Sequence, residues 1–250
     1  MFSAYPRPII LAHRGASAYA PENTLPAFEL AIEHGADGIE LDAKLSADGE
    51  VVVIHDEGVE RTTDGQGRVS SLTLQQLQAL DAGVTHSTEF HGLRIPTLLE
   101  VFEALGKRAI INIELTNYST PYDPLVEKVC SLIKKHAIQD QILFSSFLAR
   151  NLTKAARLLP DVPRGLLALP GWMGIWPRSF GFMFGDFQAL HTHISDVDPQ
   201  QVQRVHRIKR NIHVWTVNAI DDLQRLKEWE VDGIFTDDPR TAVATLRRPV

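Results

Sequence analysis

The sequence has one cysteine and no long hydrophobic run. Cys130 has no second cysteine for an internal disulfide, and its place in a helical stretch is typical of a small core residue. The apolar run at residues 9–12 is too short for a signal peptide, and no run is long enough to span a bilayer. These absences predict a cytoplasmic protein without stable membrane insertion.

An excess of positive charge is also absent. The chain has 25 lysines and arginines against 31 aspartates and glutamates, a net charge of −6 with the histidines neutral. This balance argues against a broad basic face for nucleic acid or for an anionic membrane. We therefore expect no nucleic-acid partner, and an anionic small molecule would have to be bound by local groups.

The apolar residues that are present lie in short, regularly spaced runs. At 250 residues the chain has about the length of one α/β barrel, and no repeat or linker divides it, so we expect a single domain over residues 1–250. Eight runs alternate with helical stretches, which favours a (β/α)8 TIM-type barrel over a doubly wound open sheet. The runs lie at residues 9–13, 38–42, 109–115, 142–145, 165–168, 189–191, 212–217 and 233–236.

A ninth run, at residues 51–55, interrupts this alternation. It follows Asp48 and Gly49, a dipeptide typical of hairpin turns, so we interpret it as an excursion from the barrel. The segment at about 56–95 has no barrel strand and is predicted to be a small insertion after the second strand, with a short helix at residues 72–80. Further helices are predicted at residues 25–34, 98–105, 124–136 and 221–229.

Polar residues follow several of the predicted strands. Active sites of α/β barrels lie at the carboxyl ends of the strands, so such residues are site candidates. The candidates are His13 and Arg14 after the first strand, Glu40 and Asp42 on the second, His55 and Asp56 after the excursion, and Glu114 on the third.

Three of these candidates are carboxylates that could share a cation. Glu40 and Asp42 are two residues apart on an extended segment, so both project to the same side of the strand. With Glu114 they would form an all-oxygen cluster, which suits Mg²⁺ or Ca²⁺ and admits Mn²⁺. The alternative is that Glu40 and Asp42 simply face solvent, but the surrounding strand is apolar, and an unpaired buried charge there would be costly.

The remaining candidates are suited to a phosphoester. His13 and His55 could donate and accept protons near neutral pH, and Arg14 offers a planar fork of donors for phosphate. The two histidines could instead bind zinc with Asp42, but their spacing matches no compact zinc signature. The combination of metal, arginine and two imidazoles predicts phosphoester hydrolysis.

The sequence resembles the glycerophosphodiester phosphodiesterase family. The resemblance extends from about residue 10 to residue 239 and is weakest between about 148 and 205. It lies in the segments HRGASAYAPENT, AFELAIEHGADGIELDAKLSADGEVVVIHDEGVERTTDGQG, IPTLLEVF, NIEL, SSF, VWTVN and VDGIFTDDP. It implies a TIM-type barrel with an insertion after the second strand, and cleavage of glycerophosphodiesters to glycerol 3-phosphate and an alcohol with a divalent metal.

The resemblance also assigns roles to individual residues. It places the catalytic pair on His13 and His55, the phosphate-binding arginine on Arg14, and the metal ligands on the three carboxylates, Glu40, Asp42 and Glu114. Which histidine is the acid stays open, as does whether water or the glycerol 2-hydroxyl attacks the phosphorus.

One departure from the family concerns the phosphate contacts. The family commonly has a lysine two residues after the third-strand glutamate, where this chain has Thr116. Lys44, two residues beyond Asp42, could replace its charge. Trp215 matches a family aromatic near the substrate, although a core position is an equally good interpretation.

Two other functions remain open at this point. The same site could act as a lysophospholipase D, and the aromatic-rich segment at residues 171–187 could then form an apolar lip for a lipid chain, or pack on the outer wall of the barrel. A phosphate-binding barrel without turnover would explain Arg14, but it gives no reason for both His13 and His55.

Overall fold

The computed structural model describes residues 2–247, in which eight parallel strands close into a barrel. The barrel order is β1, β2, β4, β5, β6, β7, β8, β9, and β9 pairs with β1 to complete the ring. The predicted (β/α)8 fold is therefore confirmed. The strands are β1 Ile9–His13, β2 Gly38–Leu45, β3 Val51–Val53, β4 Ile110–Leu115, β5 Ile142–Ser146, β6 Arg164–Ala168, β7 Ala189–His193, β8 Asn211–Trp215 and β9 Gly233–Thr236.

The extra strand β3 forms the predicted excursion. It runs antiparallel to the end of β2, where Ala43 pairs with Val53 and Leu45 with Val51. This pairing explains why β2 extends three residues beyond the predicted end at Asp42. The hairpin carries the chain back over the carboxyl end of the barrel, and the Ile54 amide donates to the Asp42 carbonyl at 3.0 Å.

The segment after β3 has its own small core. A buried apolar cluster, separate from that of the barrel, consists mainly of Val52, Ile54, Val59, Val69 and Leu77. The helix in this segment is shorter than the predicted 72–80, because a capping box between Thr73 and Gln76 starts it at Leu74. Val52 of this cluster lies on β3, which pairs with β2, so the cluster joins the insertion to the barrel.

Helices lie between the barrel strands and cover its outer surface. Their buried faces pack against the main core, which lies between the helices and the sheet. Within residues 2–247 no helix has the length and apolarity needed to cross a membrane. The α-helices are α1 Leu25–Glu33, α2 Leu74–Gln78, α3 Leu98–Leu105, α4 Leu125–His136, α5 Ala149–Leu158, α6 Phe182–Phe184, α7 Pro199–Arg207, α8 Ile220–Glu228 and α9 Pro239–Leu246.

Candidate active site

A cavity lies at the carboxyl ends of the barrel strands. Of the eight residues to which the sequence analysis gave a role in the site, seven line the cavity and Lys44 does not. The lining consists of His13, Arg14, Glu40, Asp42, His55, Asn112, Glu114, Ser145, Phe147, Leu167, His191, Trp215 and Phe235.

Strand register brings the predicted residues together. His13 on β1 pairs with Glu40 on β2, and Asp42 on β2 pairs with Glu114 on β4. Paired residues on neighbouring strands are separated by one strand spacing, and residues two apart on one strand share a face. The three carboxylates therefore meet, with one oxygen from each lying within 4.8 Å of the others.

Each carboxylate is oriented through one of its two oxygens. The Arg14 amide donates to Glu40 Oε2 at 3.0 Å, and the Tyr118 hydroxyl donates to Glu114 Oε1 at 2.6 Å. The Asn23 side chain donates to Asp42 Oδ2 at 2.9 Å. Over residues 2–247 no hydrogen bond reaches Glu40 Oε1, Asp42 Oδ1 or Glu114 Oε2. One oxygen of each group is thus left for a further ligand.

The charges of this cluster are poorly compensated by protein groups. Burial and the neighbouring Asp42 and Glu114 raise the pKa of Glu40 well above its ordinary value. Burial and Asp42 raise the pKa of Glu114 to about 8. A divalent cation would remove this repulsion, and three carboxylate oxygens are a donor set for hard cations. The residues therefore fit a divalent metal ion.

His13 is held from behind by a carboxylate at the other end of the chain. Its Nδ1 lies 2.7 Å from Asp237 Oδ1, just beyond β9. Asn218 donates to Asp237 Oδ2 at 2.6 Å, and Ser17 donates to Oδ1 at 3.2 Å. Although burial opposes it, hydrogen bonding from His13 and Asn218 lowers the pKa of Asp237. The ionised carboxylate can only accept, so the proton lies on Nδ1 and leaves His13 Nε2 for the cavity.

His55 has the same arrangement with its sequence neighbour. Its Nδ1 lies 2.6 Å from Asp56 Oδ1, and Arg61 Nε donates to Asp56 Oδ2 at 2.5 Å. Burial opposes ionisation of Asp56, but hydrogen bonds from Arg61 and His55 lower its pKa to about 2. The His55 side chain is 40% exposed and that of His13 is 23% exposed, so solvent and a ligand can reach both.

Arg14 links this network to the carboxylate cluster. Its Nη1 donates to Glu22 at 2.9 Å, and Glu22 also accepts two hydrogen bonds from Arg61, each of 2.7 Å. Arg14 Nε lies 3.5 Å from Asp42 Oδ2. Burial opposes the charge of Arg14, but Asp42, Glu22 and Glu40 together raise its pKa. The guanidinium is thus a fixed positive group in the cavity wall.

Local backbone conformation makes this position possible. Arg14 has a left-handed backbone with φ of 57°, and Gly15 follows with φ of 85°. A side chain at Gly15 would meet the Ala27 backbone at 2.7 Å. The turn therefore needs glycine after Arg14, and it directs the Arg14 amide towards Glu40.

Lys44 lies outside the cavity, although it is on the same side of β2 as Glu40 and Asp42. Its ammonium donates to Glu57 Oε1 at 2.9 Å and to the Thr116 carbonyl at 2.8 Å, in a neighbouring cleft. The Thr116 hydroxyl donates to the Ala43 carbonyl at 2.8 Å. Lys44 could contact a phosphate in the cavity only if its ammonium first left Glu57 and the Thr116 carbonyl.

Trp215 lies at the wall of the cavity, with its indole N–H donating to the His191 carbonyl at 3.3 Å. Its ring makes edge contacts with Phe147 and His193. Trp215 is partly exposed, so its ring is available to a ligand that enters the cavity.

A stacked pair of histidines lies beside the cavity, and one of them, His191, lines it. His191 and His213 have ring centroids 4.9 Å apart and are fully enclosed, in space left by the missing side chains of Gly165 and Gly233. Burial lowers the pKa of His191 well below its ordinary value and that of His213 to about 3. Both imidazoles are therefore neutral at physiological pH.

Several residues of the site were not assigned a role from the sequence. They hold the predicted residues in place rather than line the cavity themselves: Glu22, Asn23, Asp56, Arg61, Tyr118 and Asp237. Asp237 follows the last strand, so the strand-end rule that selected Glu40 and Glu114 could also have selected it. Nothing in the sequence pattern indicates that Tyr118 contacts Glu114.

Known proteins are similar to this chain in sequence and in fold. The chain is 39% identical to a glycerophosphodiester phosphodiesterase of Caldanaerobacter subterraneus over 96% of this chain and 98% of that protein. A phosphodiesterase structure from Oleispira antarctica, in complex with the product sn-glycerol-3-phosphate, is 33% identical, covers 99% of both chains and has a TM-score of 0.89. A glycerophosphodiester phosphodiesterase structure from Agrobacterium tumefaciens is 29% identical, covers 94% of this chain and 98% of its own, and has a TM-score of 0.82. Residues 13–241 match the family model described as the glycerophosphoryl diester phosphodiesterase family, and the chain belongs to that family.

Proposed function

We propose that this protein hydrolyses glycerophosphodiesters to glycerol 3-phosphate and an alcohol. The observation that carries the proposal is that two imidazoles, each with a carboxylate at Nδ1, open on the same cavity as a three-carboxylate cluster and an arginine. The relatives' activity and the product bound by the Oleispira antarctica enzyme support a small glycerophosphodiester as the substrate.

Glu40, Asp42 and Glu114 would hold one divalent cation, Mg²⁺, Ca²⁺ or Mn²⁺. One oxygen of each carboxylate would be a ligand, since oxygens from the three groups lie within 4.8 Å of one another, and the cation would relieve the repulsion that raises the pKa of Glu40 and of Glu114. When bound, the cation would neutralise charge on the phosphodiester and polarise its phosphorus–oxygen bonds.

The chain's own residues would bind the substrate and move its protons. Arg14 would hold a phosphate oxygen with its fixed guanidinium, and Trp215 would contact the glycerol or the alcohol group. One of His13 and His55 would accept a proton from the attacking hydroxyl at Nε2, and the other would protonate the leaving alkoxide. Asp237 and Asp56 would each accept a hydrogen bond from Nδ1, so that the base presents an unprotonated Nε2 and the acid, as an imidazolium, presents a protonated Nε2.

The test is release of glycerol 3-phosphate from glycerophosphocholine and glycerophosphoethanolamine. We expect activity to be lost in chelator and restored by one of Mg²⁺, Ca²⁺ and Mn²⁺. His13→Gln and His55→Gln should each lower kcat about 10²–10⁴-fold, as for loss of a general acid or base. His86→Gln, at an exposed histidine of the insertion, is the matched control and should be as active as the wild type.

A binding barrel without turnover would behave differently. Such a protein would bind glycerol 3-phosphate, release none from any diester, and show no dependence on either histidine. Turnover of a 2-deoxyglycerol analogue at the full rate would show that water attacks, whereas loss of turnover would indicate attack by the glycerol 2-hydroxyl.

A further inference from the structure

The connection between β6 and β7 exposes an unusual set of large apolar side chains. It contains three short helical turns in place of one long crossover helix. Trp172 and Phe184 are each 81% exposed, and five more large apolar residues are more than half exposed. We call this set the aromatic face; it consists of Trp172, Met173, Ile175, Trp176, Phe180, Met183 and Phe184.

The backbone beneath the aromatic face is fixed by the protein. Arg178 donates to the Leu169 and Gly171 carbonyls and forms an ion pair with Asp196. Phe182 is buried in the barrel core. The exposed side chains are therefore held outward on an anchored support.

The aromatic face is also uncharged. Residues 169–185 contain no acidic residue and a single basic one, Arg178, whose charge is paired with Asp196. The chain as a whole has a net charge of −6. A partner of the aromatic face would thus be recognised through apolar contact and not through charge.

The aromatic face begins at the mouth of the active-site cavity. The Gly171 amide donates to Asp196 at 2.8 Å, on the turn that follows β7. His193, three residues earlier, packs its ring 4.9 Å from that of Trp215, which lines the cavity. The connection leaves β6 after Ala168, next to Leu167 of the cavity lining, so a molecule that extends out of the cavity on this side would reach the start of the aromatic face.

We propose that the aromatic face docks on a glycerophospholipid surface and that the site takes lysophospholipids from it. Tryptophan and phenylalanine insert readily at the boundary between lipid headgroups and acyl chains, and uncharged contact suits a zwitterionic surface. Because the connection starts at the end of the barrel where the cavity opens, a lipid surface bound to the aromatic face would present its headgroups on that side.

The substrate part of this inference rests on the proposed function. For lysophosphatidylcholine, water would add across the phosphorus–oxygen bond to the choline. The bond that breaks is the one broken in glycerophosphocholine, and the products are choline and an acylglycerol phosphate.

The experiment compares two double variants of the full chain. Trp172→Ser with Phe184→Ser removes the two most exposed members of the aromatic face. Tyr122→Ser with Ile208→Ser is the control, because both residues are exposed elsewhere on the surface. Binding is measured by co-sedimentation with phosphatidylcholine vesicles that contain lysophosphatidylcholine, and turnover by choline release from these vesicles and from soluble glycerophosphocholine.

We expect the wild type and the control to bind the vesicles at low and high salt alike. The Trp172→Ser/Phe184→Ser variant should lose at least about tenfold in vesicle binding and in turnover of the lipid, because two large aromatic rings no longer insert. Its turnover of glycerophosphocholine should equal that of the wild type, which also shows that the variant is folded.

Three results would overturn the inference. The first is that the wild type does not bind vesicles, and the second is that the aromatic-face variant binds them as well as the wild type does. The third is that the wild type forms a dimer and does not bind vesicles, and that the variant is a monomer. Absence of turnover on glycerophosphocholine would instead count against the proposed function, and vesicle binding could still be measured.

Discussion

Replacing Glu114 by glutamine should stabilise the metal-free protein while it abolishes metal binding. The pKa of Glu114 rises from an ordinary value of 4.5 to about 8 in the folded chain. The folded state therefore holds a proton that the unfolded state releases between pH 4.5 and 8, and stability falls as pH rises through this window. At pH 7 ionisation of this carboxyl in the unfolded chain lowers the free energy of unfolding by about 3 kcal/mol. Glutamine keeps the shape and the acceptor for Tyr118 but has no charge to lose.

The assay is thermal unfolding in chelator, at several pH values. A gain of about 3 kcal/mol corresponds to a rise in Tm of about 6–12 °C for a chain of this size. The gain at pH 7 should disappear near pH 4.5, where the carboxyl of the wild type is protonated in both states. Saturating metal at about 100 times Kd should stabilise the wild type by about 2.7 kcal/mol and leave Glu114→Gln unchanged.

The control for this prediction is Glu103→Gln, at an exposed position on α3, which should melt like the wild type. Melting of Glu114→Gln below the wild type in chelator at pH 7 would contradict a raised pKa of Glu114. Equal stabilisation of both proteins by metal would show that Glu114 is not a ligand.

Three further predictions concern the groups around the cluster. Asp237→Asn should lower kcat about 10²-fold or more, measured with glycerophosphocholine, because the amide can favour the wrong tautomer of His13; unchanged kcat would contradict this role. Arg14→Lys should raise KM about 10- to 100-fold, because lysine lacks the planar fork, and an unchanged KM would place the phosphate elsewhere. The free energy of unfolding of the wild type should fall between pH 8 and pH 5, because the unfolded chain protonates His213 below about pH 6.5 and the folded chain only near pH 3. His213→Leu should make this fall about 2 kcal/mol smaller in denaturant titrations, and an equal fall in both proteins would contradict the prediction.

The barrel could be predicted because its strands are buried on both sides and appear as short apolar runs. β1 and β9 have the predicted bounds, and the other strands differ by one to three residues at an end. β7 extends to His193 because Thr192 and His193 pair with β8. Both residues are polar, so the hydrophobic run did not include them. Backbone pairing, which the side-chain pattern does not encode, sets these ends.

The site could be predicted only as far as strand ends specify it. Parallel strands of one barrel end on the same face, and β2 and β4 are adjacent in the sheet, so Glu40, Asp42 and Glu114 are neighbours. The contact between His13 and Asp237 joins residues 224 positions apart, and no local pattern indicates it. For Lys44 the strand position gave the wrong location. Its place on β2 predicts a side chain in the cavity, but Glu57 and the Thr116 carbonyl hold its ammonium outside.

The hairpin and insertion supply half of the proposed acid–base pair. The barrel strands deliver one imidazole of the pair, His13, whereas His55 reaches the cavity only because β3 reverses the chain over the end of β2. Arg61, farther along the insertion, then ties Asp56 to Glu22 in the loop after β1. The side chain of Glu22 in turn holds Arg14. In the proposed reaction, displacement of the insertion would therefore misplace His55 and the arginine together, while the metal ligands on β2 and β4 would stay in place.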